Sequence, residues 1–146
     1  MKEKDKFKET EQKLYEYKIL KSKIEALENK KKMIDLEEDG AKAIEYTDMP
    51  KPPSSNTESL IEQVVLRKEE KKEIINREIK RARLKIDNIE IVLNILNKDE
   101  KDLFRAKYMA TSSKNVTELT RELHIERSAF HETRNSLVRK AMNVLF

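Results

Sequence analysis

"ESLIEQVVLRKEEKKEIINREIKRARLKIDNIEIVLNIL", residues 58–96, decides the fold of this chain. Ile61, Val65, Lys68, Lys72, Ile75, Ile79, Ala82, Ile86, Ile89, Leu93 and Leu96 follow one another in alternating steps of four and three over five heptads. Only the two lysines interrupt the apolar series. A sustained 3.5-residue period marks a coiled-coil seam and not a strand. At the usual rise per residue such a helix is on the order of 57 Å long. It cannot bury its stripe alone, so it requires a partner helix.

Residues 5–39 supply a matching stripe. Tyr17, Leu20, Ile24, Leu27 and Ile34 recur in alternating steps of three and four, with Lys31 at the one polar position. Between the two stripes, "GAKAIEYTDMPKPP" (residues 40–53) holds the only glycine and all three prolines of the chain. Gly40 follows "MIDLEED" where a left-handed residue would close a helix. The prolines forbid continuation and favour an extended chain. Ser55 with Glu58, or Ser59 with Glu62, can then form the capping box of a second helix. The simplest geometry is an antiparallel helical hairpin over residues 1–96 with its connector at 40–57. Asp35, Glu37, Glu38 and Asp39 crowd a helix C-terminus that already presents negative charge. In the hairpin they lie near Arg67 and Lys68. The alternative is that two chains pair through the same stripes, which would make a homo-oligomer. Ala43, Ile44 and Tyr46 are apolar enough to dock, and the second helix is the expected surface.

Composition agrees with long solvated helices. Of 146 residues, 41% are charged and 5% aromatic, too polar a mixture for a conventional globule of this length. Thirty-two basic residues oppose 28 acidic ones, a net +4 that permits nucleic-acid binding without arguing for it. The absence of cysteine excludes disulfides and thiolate metal sites. "MKEKDKFKET" has no apolar stretch after its lysines and does not read as a signal peptide, and no uncharged run is long enough to span a bilayer. A cytoplasmic protein with no membrane partner is expected.

After Leu96 the period changes and the helices shorten. Asn97 can cap a helix with Glu100 at its third position, carrying Leu103, Phe104 and Tyr108 inward. "ATSSKN" breaks it, and Asn115 with Glu118 begins the next. In "VTELTRELHIERSAFHETRNSLVRKA" (residues 116–141) two helices flank a very short break at "HIE". Leu119, Leu123, Ile125 and Phe130 would fill the elbow of a helix-turn-helix, leaving the second helix free for a major groove. Arg127, Ser128, His131, Arg134 and Asn135 would read or grip DNA there, beside Glu132. Arginine can bridge two guanine acceptors, asparagine can pair with adenine, and serine can bind phosphate. Residues 127–146 hold four basic groups against one acid, so the local field is positive.

"LNKDEKDLFRAKYM…VTELTRELHIERSAFHETRNSLVRKAMNVL" resembles the C-terminal promoter-reading domain of bacterial sigma factors. It is more similar still to phage transcriptional regulators of the ArpU and RinA type, in which a sigma-like helix-turn-helix follows a long helical part. "GAKAIEYTDMP" also matches the "G-x-K-A-x-x-Y…P" segment of ArpU-like proteins. The residues and the resemblance together lead to the expectation of an all-α protein, a long antiparallel helical hairpin followed by a sigma-like helix-turn-helix DNA-binding domain at 97–146. The resemblance further implies control of late phage genes by binding promoter-proximal double-stranded DNA, with RNA polymerase as a candidate second partner. His124 stands where glycine is usual in the turn, and Thr120 where a small alanine is common. Histidine tolerates the left-handed conformation better than a branched residue would.

Other chemistries find no support. "HETRN" begins like a zinc-protease helix, but Asn135 stands where the second histidine is needed. "DLEEDGAKAIEY" spaces carboxylates like half a calcium loop, yet Tyr46 occupies the bidentate position. "NVT" at 115–117 is a sequon in spelling only. A single glycine excludes a glycine-rich phosphate loop, and no carboxylate pair lies in an apolar setting. Neither an enzyme nor a cofactor is expected. The run 67–85, with nine basic and four acidic groups, reads as the wet side of a coiled coil. Two rivals remain, a small-terminase-like DNA-packaging component and a coiled-coil adaptor without DNA binding.

Overall fold

A computed structural model describes the backbone of residues 2–48 and 56–146, and their side chains except those of 38–48, 56–61 and 64. The described chain is all helical: α1 (Glu3–Asp48), α2 (Asn56–Ile95), α3 (Lys98–Lys107), α4 (Val116–Leu123) and α5 (Arg127–Leu145), with no strand among the described residues. None of these helices is long and apolar enough to cross a membrane.

The first helix is longer than its sequence suggested. Gly40 does not close it; α1 runs on to Asp48, two residues before Pro50. A lone glycine inside a helix costs only about 1 kcal/mol relative to alanine, and "AKAIEY" behind it is helix-compatible. Proline is the stronger breaker, about 3 kcal/mol in a helix interior. Residues 40–48 are therefore helical and not part of the connector. Helix α2 begins at Asn56, which places Ser59 inside it and not at its cap. Ser55, and the side chains of Ala43, Ile44, Tyr46 and Ile61, lie outside the described residues.

Contacts group the chain into two compact units, Lys23–Ala82 on one hand and Met1–Ser22 with Arg83–Phe146 on the other. In the first, Leu27, Ile75 and Ile79 form a small buried cluster, with Ile24 and Ile34 packed against it. Asp35 meets Lys68 at 3.7 Å and also pairs with Lys72. Residue numbers thus fall along α1 as they rise along α2. Lys68 and Lys72, the two polar positions of the heptad pattern, are partly buried and both meet Asp35.

Among the described residues, most of the buried apolar side chains lie in the second unit. Leu14, Tyr17 and Leu20 of α1 and Ile86, Ile89 and Val92 of α2 are buried, as are Leu96, Leu103, Phe104, Tyr108, Leu119, Phe130, Leu137, Val138 and Ala141. Tyr17 meets Phe104 edge-on at 5.8 Å, and Phe104 lies 5.5 Å from Tyr108. The α1 stripe extends to Thr10, whose buried hydroxyl donates to the Lys6 carbonyl at 2.6 Å.

One seam position shifts. Val92 is fully enclosed while Leu93 is only half-buried. Val92 lies on the flank of Lys85 and Asn88, which share a groove with Glu9, Lys13 and Leu145. In this unit the buried positions along and just after α2 are Ile86, Ile89, Val92 and Leu96, so the 4-3 period gives way to steps of three, three and four at its C-terminal end.

Candidate nucleic-acid interface

Helices α3, α4 and α5 pack on one another, and their ends are set by local chemistry. Asn97 Oδ1 accepts from Glu100 N at 2.9 Å, and Glu100 Oε1 accepts from Asn97 N at 3.0 Å, a complete capping box. At α4 the Asn115 side chain accepts from Glu118 N at 2.9 Å. The α4–α5 turn is made by His124, at φ 55° and ψ 42°, the left-handed region. The Ile125 N–H donates back to Thr120 O at 3.2 Å, closing the end of α4. Three residues, 124–126, therefore suffice to join α4 to α5.

The four apolar residues around the α4–α5 turn differ in burial. Leu119 and Phe130 are buried, and Leu123 and Ile125 are half-buried. Phe130 anchors the first turn of α5 and meets the His131 ring edge-on at 5.5 Å. Over the first three turns of α5, Arg127, Ser128, His131, Glu132 and Asn135 are all exposed, with Ser128, Glu132 and Asn135 facing away from Phe130. No side-chain bond caps the first turn of α5 at Glu126, which leaves backbone N–H groups there open to a ligand or to water.

Arg134 is the exception among the five residues expected to touch DNA, and a correction to the exposed position the sequence suggested. Its Nε donates to Glu11 Oε1 at 3.0 Å, and its guanidinium lies 5.3 Å from the centre of the Phe7 ring. The same Glu11 oxygen accepts from Lys107 Nζ at 3.0 Å and from Tyr108 Oη at 2.9 Å. Arg134 sits at the inner edge of α5, one residue from Asn135 but some 100° around the helix. Its side chain faces α1.

A second carboxylate holds the other flank. Glu100, almost fully buried, accepts from Ser136 Oγ at 2.9 Å and from Lys140 Nζ at 2.6 Å. Burial pushes its pKa up, but the bonds from Lys140, the Asn97 N–H and Ser136 outweigh this and hold it below the ordinary 4.5. Glu11 behaves alike: burial raises its pKa, while Lys107, Tyr108 and Arg134 together bring it below 4.5. Burial lowers the Lys107 pKa, and Glu11 only partly offsets that. Tyr108 is pushed far up, by burial first and Glu11 second.

These pairings decide which charges face outward. Arg134 and Lys140 are spent on Glu11 and Glu100. Among the described residues, Arg127 and Arg139 of α5 and Arg121 of α4 are exposed and have no intramolecular ion pair. Glu132, Asn135, Ser136, Arg139, Lys140 and Asn143 line an open groove along the helix. Sequence reasoning missed Glu11 entirely, since it flanks the α1 stripe among many similar acids. It found Glu100 as a cap residue but not as the partner of α5. No protein-family model, curated protein or solved structure matches this chain.

Proposed function

We propose that this protein is a transcriptional regulator that binds specific double-stranded DNA sequences, of the phage type its sequence resembles. In this reading a sigma-like helix-turn-helix, α4–turn–α5, reads the major groove, and the long helices form an antiparallel coiled-coil hairpin. One observation carries the reading. The first three turns of α5 bury Phe130 and carry Ser128 and Asn135 on the face away from it, with Arg127 and His131 exposed on its flanks, directly after a left-handed turn. A helix that is anchored on its inner face and carries base-reading side chains at its N-terminal end has the form a major groove admits. The uncapped N–H groups and exposed Arg127 suit backbone phosphates, which fix register while base contacts give specificity.

The test is selection of bound duplexes from random DNA, followed by titration at two salt concentrations. Enrichment of one motif with salt-dependent affinity is expected. Arg127→Ala should cost about 1–3 kcal/mol if the residue makes a bidentate base contact. If it grips phosphate instead, the slope of log affinity against log salt should fall by about 0.9. Absence of any salt-dependent affinity would leave a coiled-coil adaptor as the better description.

A further inference from the structure

We propose that Glu11 is a positioning residue for DNA recognition, which makes the first turns of α1 part of the reading unit and not of the helical arm. The inference rests on the DNA-binding reading and deepens it. It starts from an unusual concentration of donors: one oxygen, Glu11 Oε1, accepts from Arg134 on α5 and from Lys107 and Tyr108 at the end of α3. Phe7, one turn earlier on α1, covers the Arg134 guanidinium. Further along, Lys13 Nζ sits 4.2 Å from the centre of the Phe146 ring, at the far end of α5. Helix α1 therefore touches α5 at its middle and at its C-terminus, and Lys18 reaches the Ala110 carbonyl after α3.

These contacts fix rotation as well as distance. Arg134 lies between the buried Phe130 and Val138 along the sequence and next to the exposed Asn135. A guanidinium held by its Nε and by one ring face can adopt few orientations. Glu100 holds Ser136 and Lys140 on the opposite flank, so α5 is gripped from two sides. Loosening one grip lets the helix roll, and a roll moves Arg127, His131 and Asn135 off their base edges together. Side chains that must meet a rigid ligand lose much of their effect when displaced by about 1 Å.

Charge alone makes the opposite prediction, which gives the proposal its test. Glu11→Gln removes a negative charge, which by Coulomb attraction strengthens binding to any polyanion. Positioning requires the selected duplex to be bound more weakly, on the order of tenfold, the equivalent of one charged hydrogen bond. Binding to a scrambled duplex of equal composition should be unchanged or slightly tighter. Arg134→Ala should likewise weaken selected-duplex binding while leaving the salt slope at its wild-type value. All titrations are run well below the melting midpoint of each variant, checked by circular dichroism. Glu11→Asp serves if Glu11→Gln melts too early, since it keeps the charge but withdraws the oxygen from its donors. It too should lose selected-duplex affinity. Parallel strengthening on both duplexes by Glu11→Gln, undiminished selected-duplex binding by Glu11→Asp, or a salt slope reduced by about 0.9 in Arg134→Ala, would overturn the positioning role while sparing DNA binding. Failure of the wild-type protein to bind any duplex would overturn both.

Discussion

The two units of this chain use similar residues to opposite ends. Among the described residues of Lys23–Ala82, Leu27, Ile75 and Ile79 form a small buried cluster, and Asp35, which meets Lys68 and Lys72, is exposed. In the other unit two glutamates have moved inward, each collecting several donors, beside an aromatic core of Phe104, Tyr108 and Phe130. A seam between two long helices needs only a period. A junction of several short helices needs points that fix their relative rotation, and charged hydrogen bonds supply direction where apolar contact does not. The cost is that such points fail abruptly once a partner or a proton is changed.

The largest contrast should appear in the cores. Phe104→Ala removes a fully buried ring that touches Tyr17 and Tyr108, and should cost about 3–5 kcal/mol. Leu27→Ala truncates one member of a three-residue buried cluster that retains slight exposure, and should cost about 2 kcal/mol. Denaturant midpoints of the two variants measure the difference. Equal losses would mean that the short helices are no better packed than the seam.

Acid should act next, and unevenly. Glu11 and Glu100 both have folded-state pKa values below 4.5. A carboxyl whose pKa is depressed by folding contributes stability that is present above its unfolded value. That stability is lost as pH falls through the folded one. The unit containing them should therefore weaken as pH drops below about 4.5, and tyrosine fluorescence from Tyr17 and Tyr108 would report it. The shifted Lys107 does not enter this window, being protonated in both states there. Glu100→Gln should remove much of the acid sensitivity while lowering stability at neutral pH. An unaltered acid transition in that variant would show that Glu100 does not drive it.

The same contrast explains what could be read in advance. The stripe of α2 was legible because a period of 3.5 residues survives in sequence whatever it packs against, and Asn97 and Asn115 were legible because caps are local. The Phe130 anchor followed from spacing within α5. Gly40 is ambiguous in sequence, since glycine is common just after a helix yet costs little inside one, and only the structure shows α1 passing through it. Arg134 misled for a deeper reason. Sequence spacing gives the angle of a residue on its own helix, but not the partner helix that takes it. Glu11 lies 123 positions away among many chemically identical acids, and nothing local marks it.

The weakest effect belongs to Asp35, although on paper it has two partners. Lys72 and Lys68 hold its carboxyl below the ordinary 3.8, yet the group is exposed to water, where counter-ions and solvent replace most of what the lysines provide. Asp35→Asn should leave the melting midpoint indistinguishable from wild type at physiological salt. Calorimetry of this variant beside Glu100→Gln sharpens the comparison, since each loses one carboxylate that pairs with lysine, one exposed and one buried. A shift at Asp35 as large as that at Glu100, persisting in molar salt, would show that burial is not what separates the two units.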